Sequence, residues 1–131
     1  MEDLKLRDYI EKKNGNKLTE KERKNSTLKS NNCNDRIFAY IKKNGNKLEE
    51  VKWDGEGCAI FSASSSFIVE NLKEINDIKK GKEFLDLFKN SIENDNYKNE
   101  FKIFSLLKKH KSRKKCVLFV IEAFKEELEK I

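Results

Sequence analysis

The stretch RIFAYIKKNGNKLEEVKWDGEGCAIF, residues 36–61, carries the clearest structural pattern in the chain. Ile37, Ala39 and Ile41 alternate with Phe38 and Tyr40, the two-residue period of a half-buried strand. Asn44-Gly45 is a tight-turn signal. Beyond it, Val51 and Trp53 alternate against Lys52 and Asp54, so the segment predicts a β-hairpin. Gly55-Glu56-Gly57 breaks the second strand. Cys58-Ala59-Ile60-Phe61 then reads as a third short strand.

Moving toward the C-terminus, the period changes from two to that of a helix. Ser62 is a good N-cap, and Phe67, Ile68, Leu72 and Ile75 form one apolar face. Asp77 can cap a second helix with Ile78, Leu85, Phe88 and Ile92 on its stripe. A third helical stretch is expected over 97–107. Val117, Val120, Ile121, Phe124, Leu128 and Ile131 predict a final helix; a strand is the competing reading, and length favours the helix. Toward the N-terminus, Leu6, Tyr9 and Ile10 suit a short helix over 3–13. Residues 14–32 are polar apart from Leu18 and Leu28 and read as a long loop. The near-repeat KKNGNKLTE (12–20) and KKNGNKLEE (42–50) is taken as compositional, because only the second copy is flanked by strand patterns.

The chain has 131 residues, 37% hydrophobic and 40% charged, with nine Phe and one Trp. That suffices for one modest core, so 1–131 is read as a single domain. No apolar run reaches the roughly 18 residues a membrane span needs, and MEDLKLRDYI does not read as a secretory signal. Three widely spaced cysteines suit a reducing cytoplasm better than a disulfide framework. The net charge of +6 favours acidic partners. The charge is dispersed and lacks a recognition motif, so a small basic nucleic-acid binder using Lys108–Lys115 is kept only as a rival reading.

Each cysteine sits at a boundary between predicted elements. Cys33 is at the entry to the first strand, two residues from Asp35, and in extended backbone those two side chains share a side. Cys58 follows the Gly-Glu-Gly break. Cys116 opens the last helix behind Arg113-Lys114-Lys115. A helix N-terminus and nearby cations should lower the thiol pKa at Cys58 and Cys116. Three thiolates and one carboxylate would complete a tetrahedral zinc site. The alternative is that these cysteines are small buried hydrophobes. His110, in a lysine-rich run, reads as a solvated surface residue.

The local motifs bear on that choice. Cys33-Asn34-Asp35-Arg36-Ile37 resembles the Cys-Gly-Asp-Arg-Ile motif of the U-type iron–sulfur assembly proteins. Gly55-Glu56-Gly57-Cys58-Ala59-Ile60 matches that family's second motif without a change, and Arg113-Lys114-Lys115-Cys116 is similar to its Arg-x-Lys-Cys motif. Lys115 before the last cysteine, and the long interval after Cys58, resemble the SufU branch. The resemblance implies an α+β fold with a three-stranded antiparallel sheet packed against several helices, the last of them C-terminal. It implies Zn2+ held by Cys33, Asp35, Cys58 and Cys116, with a [2Fe–2S] cluster as the alternative occupant. It further implies a cysteine desulfurase as sulfur donor and downstream iron–sulfur scaffold or acceptor proteins. Cys33 is the expected sulfur acceptor. Arg113 either orients Asp35 or a partner's groups, or is a surface charge. Asn34 stands where the family has Gly, and Asn tolerates left-handed backbone.

Overall fold

The computed structural model describes residues 2–11, 17–31 and 34–130. Three antiparallel strands form one sheet in the order β1 (Thr27–Ser30), β2 (Arg36–Asn44), β3 (Lys47–Glu56). Helices α1 (Glu2–Glu11) and α2 (Glu20–Lys24) precede it. After it come α3 (Ala59–Ile75), α4 (Ile78–Glu93), two 3-10 segments (Asn99–Lys108 and Lys111–Arg113) and α5 (Lys114–Glu129). The α+β class with a C-terminal helix is as expected.

The hairpin forms where the alternation predicts it, with Ile37, Ala39, Ile41, Leu48, Val51 and Trp53 on the buried face. The third strand is a different one. Thr27–Ser30 pairs with Arg36–Ala39, and Cys58–Phe61 instead opens α3, with Cys58 rather than Ser62 as N-cap. The reason is burial. Ile60, Phe61, Ala63, Phe67, Ile68 and Val69 are all buried, so the first half of α3 is enclosed and shows no helical alternation of apolar and polar residues, whereas Lys73 and Glu74 of its last turns are exposed. Its serines fit the same setting. Ser64 and Ser65 donate to the carbonyls of Ile60 and Phe61, and the Trp53 indole donates to Ser66 Oγ at 3.3 Å. Small side chains that satisfy themselves let the helix sit against the sheet.

The expected loop over 14–32 is also partly structured. Thr19 and Glu22 form a reciprocal capping box that starts α2, and Arg23 of α2 pairs with Asp54 of β3 at 2.6 Å. The helical stretch expected over 97–107 is a 3-10 segment over Asn99–Lys108. Residues 12–16, which begin the first copy of the near-repeat (12–20), lie outside the described residues.

Helix α5 packs across the sheet and is tied to it at its C-terminal end. Glu127, 3% exposed, accepts from Thr27 Oγ1 at 2.8 Å and from the Ile41 amide at 3.0 Å. Lys43 Nζ donates to the Leu128 carbonyl at 2.6 Å. On the far side of α3, Phe67 is a hub. Its ring lies 5.0 Å from Phe88, 5.1 Å from Phe104 and 5.4 Å from Tyr9, centroid to centroid. Removing that ring leaves a cavity touching α1, α4 and the long 3-10 segment at once. We expect Phe67→Ala to lose about 3–5 kcal/mol of stability, measured as a shift in urea midpoint at unchanged slope.

Candidate metal centre

The β2–β3 register builds the site. Arg36 lies opposite Glu56, and Ile37 opposite Gly55. The start of β2 is therefore beside the end of β3, which sets Asp35, one residue before β2, near Cys58, two residues past β3. Both glycines of the Gly-Glu-Gly motif are needed for this. Gly55 has φ +146, and a Cβ there would meet the Arg36 carbonyl oxygen at 2.0 Å. A Cβ on Gly57 would meet the Phe61 ring at 2.4 Å. Asn34 adopts φ 66, so the left-handed turn expected of it is present.

The third contributor comes from α5. Cys116 is in its first turn, and the ring of Phe119 in the next turn lies 6.3 Å from that of Phe61. The approach to α5 is fixed by Lys114, whose ammonium pairs with Asp95 at 2.9 Å. The result is a half-buried thiol pair, with Cys58 Sγ and Cys116 Sγ 3.7 Å apart. Asp35 is 6% exposed and close enough to act on Cys116 electrostatically. Cys33 lies outside the described residues. Arg113 is exposed, and its side chain acts on the Cys58 sulfur rather than being paired with Asp35. His110 is exposed at the start of the short 3-10 segment and is not brought to the site.

The two thiols are electrostatically unequal. Burial raises the Cys58 thiol, but the Phe61 amide, the Cys116 thiol, the Arg113 guanidinium and the Ile60 amide outweigh it, so the net direction is downward. Here the open N-terminus of α3 acts as a thiolate site without a full capping hydrogen bond. Cys116 goes the other way. Burial, then the Cys58 sulfur, then the Asp35 carboxylate push it up to about 12, against Arg113. The expectation that Lys and Arg would lower Cys116 is thus overturned. Lys114 is occupied by Asp95, Lys115 is exposed, and a neighbouring thiolate acts at closer range. Without metal, Cys58 is the thiol of the pair that ionises first.

Among the described residues, no three His, Cys, Asp or Glu side chains are gathered closely enough to hold a metal ion. What they supply is an edge of a site. Two thiolates bound to one zinc at about 2.3 Å in tetrahedral geometry stand about 3.75 Å apart, matching the 3.7 Å sulfur separation. A tetrahedral iron would use much the same edge. The buried Asp35 carboxylate accepts an amide hydrogen bond from Asn31 and takes part in no ion pair among the described residues, which suits a carboxylate awaiting a cation. The two sulfurs therefore fit one edge of a zinc or iron coordination shell, and the buried carboxylate is of a chemistry that could add to it. Asn31 was not foreseen in the sequence, since an Asn four residues before an Asp has no distinctive pattern.

Comparison with known proteins identifies the family and the fold. The model of the family described as NifU-like N terminal domain matches residues 2–95. The chain is 33% identical over 66 residues to the zinc-dependent sulfurtransferase SufU of Bacillus subtilis, a match covering 41% of this chain and 45% of that protein. It is 29% identical over 108 residues to the iron–sulfur cluster assembly scaffold protein IscU of Thermotoga maritima, covering 79% and 75%. The match thus spans less than half the length of the first relative. Among solved structures, a protein from Fervidobacterium islandicum AW-1, described as an iron–sulfur cluster assembly scaffold protein for the SUF system, superposes with TM-score 0.79 at 23% identity, over 95% of this chain and 94% of that one. A NifU-like N-terminal protein from Brucella abortus superposes with TM-score 0.69 at 16% identity, covering 93% and 88%. These two share the fold.

The unequal thiols give a pH signature in metal-free protein. A lowered pKa at Cys58 adds stability that is present above the ordinary 9.0 and lost as pH falls through its folded value. A raised pKa at Cys116 adds stability that is present below 9.0 and lost as pH rises toward about 12. Alkylation read by peptide mass analysis near pH 8 should modify Cys58 at least about tenfold faster than Cys116. Cys58→Ser should speed Cys116. Equal rates in the unmodified chain would contradict the assignment.

Proposed function

The chain belongs to the NifU-like N-terminal domain family, and on that premise we propose that it acts in iron–sulfur cluster assembly as a metal-bound sulfur acceptor. The observation that carries this reading is the half-buried Cys58–Cys116 pair, set at metal-ligand spacing, with the buried Asp35 close enough to act on Cys116 electrostatically. Cys33, Asp35, Cys58 and Cys116 would hold zinc. When bound, zinc would keep the thiols deprotonated near neutral pH. Cys33 is the acceptor in this reading, since Cys58 and Cys116 both lie at the starts of packed helices. Its thiolate attacks the terminal sulfur of a cysteine persulfide on a partner desulfurase. One sulfur–sulfur bond forms as the other breaks, and the desulfurase thiolate leaves with the electron pair. Arg113, exposed at the rim and acting on Cys58, holds negative charge at the site while Cys33 is engaged.

A second reading keeps the same four residues as ligands and makes a [2Fe–2S] cluster the cargo, assembled here and passed to an acceptor protein. The IscU relative favours it, and the sulfur spacing fits both. The likeness to SufU supports zinc. A cytoplasmic site of action follows the unpaired thiols; among the described residues, no helix is long and apolar enough to cross a membrane.

Metal and acid-labile sulfide in anaerobically purified protein separate the two readings. The first expects about one zinc per chain and no sulfide, lost in Asp35→Ala and Cys58→Ser. Iron with matching sulfide would favour the second. The acceptor step has its own assay: adding the protein should accelerate alanine release by a cysteine desulfurase, and Cys33→Ser should abolish the acceleration. Full acceleration by that variant would remove Cys33 from the role.

A further inference from the structure

Asp35 has a partner whose side chain is committed to it at both ends. Asn31 Nδ2 donates to Asp35 Oδ2 at 3.3 Å, and Asn31 Oδ1 accepts from the Asp35 amide at 3.1 Å. The backbone repeats the link, with the Asn31 amide donating to the Asp35 carbonyl at 3.1 Å. The Asn34 amide, in its left-handed turn, donates to the Asn31 carbonyl at 3.3 Å. The orientation of the Asn31 amide follows from chemistry. A backbone N–H can only donate, so the amide oxygen faces it and the NH2 group faces the carboxylate. Turning the carboxylate would break one of these contacts.

From this geometry we propose that Asn31 is a positioning residue that fixes the Asp35 carboxylate, occupying Oδ2 and leaving Oδ1 to the cation. The inference rests on the reading of Asp35 as a metal ligand. Carboxylate ligands are held by such outer hydrogen bonds, and loss of one typically costs 10–100-fold in metal affinity. Asn31 also lines the open cleft formed by Ser30, Asn34, Asp35, Arg36 and Glu56, so a replacement there does not create a void in the core.

The test uses zinc itself, titrated in competition with a chromophoric chelator, together with thermal melting of each metal-free variant. Asn31→Ala should lower zinc affinity about 10–100-fold with little change in metal-free melting. Asn31→Asp keeps the acceptor for the Asp35 amide but turns an oxygen toward the carboxylate, so it should weaken zinc at least as much. Combining Asn31→Ala with Asp35→Ala should cost no more than Asp35→Ala alone. Wild-type affinity in Asn31→Asp would reduce Asn31 to a loop brace and overturn the proposal, as would a full loss persisting in the Asp35→Ala background. Failure of the unmodified chain to bind zinc would remove the zinc reading of the site along with this one.

Discussion

Gly55 and the Arg36 carbonyl approach so closely that no Cβ fits between them, and the site depends on that contact. It locks the end of β3 against the start of β2. Asp35 directly precedes Arg36, and Cys58 follows Gly55 by three residues. A bulkier residue at Gly55 would push the strands apart where their ends must meet, and the unfavourable φ of +146 would add to the strain. The Gly-Glu-Gly motif is thus a packing device first. Its second glycine admits the Phe61 ring, which lets α3 begin at once behind Cys58.

Everything outside this junction holds the third ligand candidate in place. Cys116 lies far along the chain from Asp35 and Cys58, so its position is the sum of how α5 lies. Three constraints set that. Lys114 is anchored to Asp95, Phe119 lies against Phe61, and Glu127 and Lys43 tie the C-terminal end of the helix to β1 and β2. A buried carboxylate such as Glu127 costs desolvation. Two hydrogen bonds and the Lys130 ion pair at 2.9 Å offset it. The cost yields a fixed helix orientation, which is what a thiol pair at 3.7 Å requires.

The electrostatics also follow from the packing. A thiolate at Cys58 is favoured by helix amides whose direction is set by α3. Once that charge is there, Cys116 pays for its proximity by holding its proton. A cation placed among these groups would remove the conflict, because it attracts both sulfurs and the Asp35 carboxylate together. On the proposed reading, the same feature that makes the metal-free pair unequal favours a divalent ion.

The sequence by itself was enough for the hairpin, whose alternation is local, for the Asp77 and α5 helix signals, and for the three motifs that place Cys33, Asp35, Cys58 and Cys116 in one family pattern. It also carries a further local signal: Thr19-Glu20-Lys21-Glu22 is a capping-box pattern within the stretch that reads as a loop. Other features were beyond local reading. Strand β1 has four residues, too few for a period to register, and exists because β2 offers it an edge. Residues 58–61 are equally apolar as strand or helix, and the packing of Ile60 and Phe61 into the core as the first turn of α3 decides for helix. The opposite pKa directions of Cys58 and Cys116 and the hold of Asn31 on Asp35 were decided by tertiary structure alone. Both depend on distances between groups far apart or unpatterned in the chain, and electrostatic and hydrogen-bond energies depend on those distances rather than on composition.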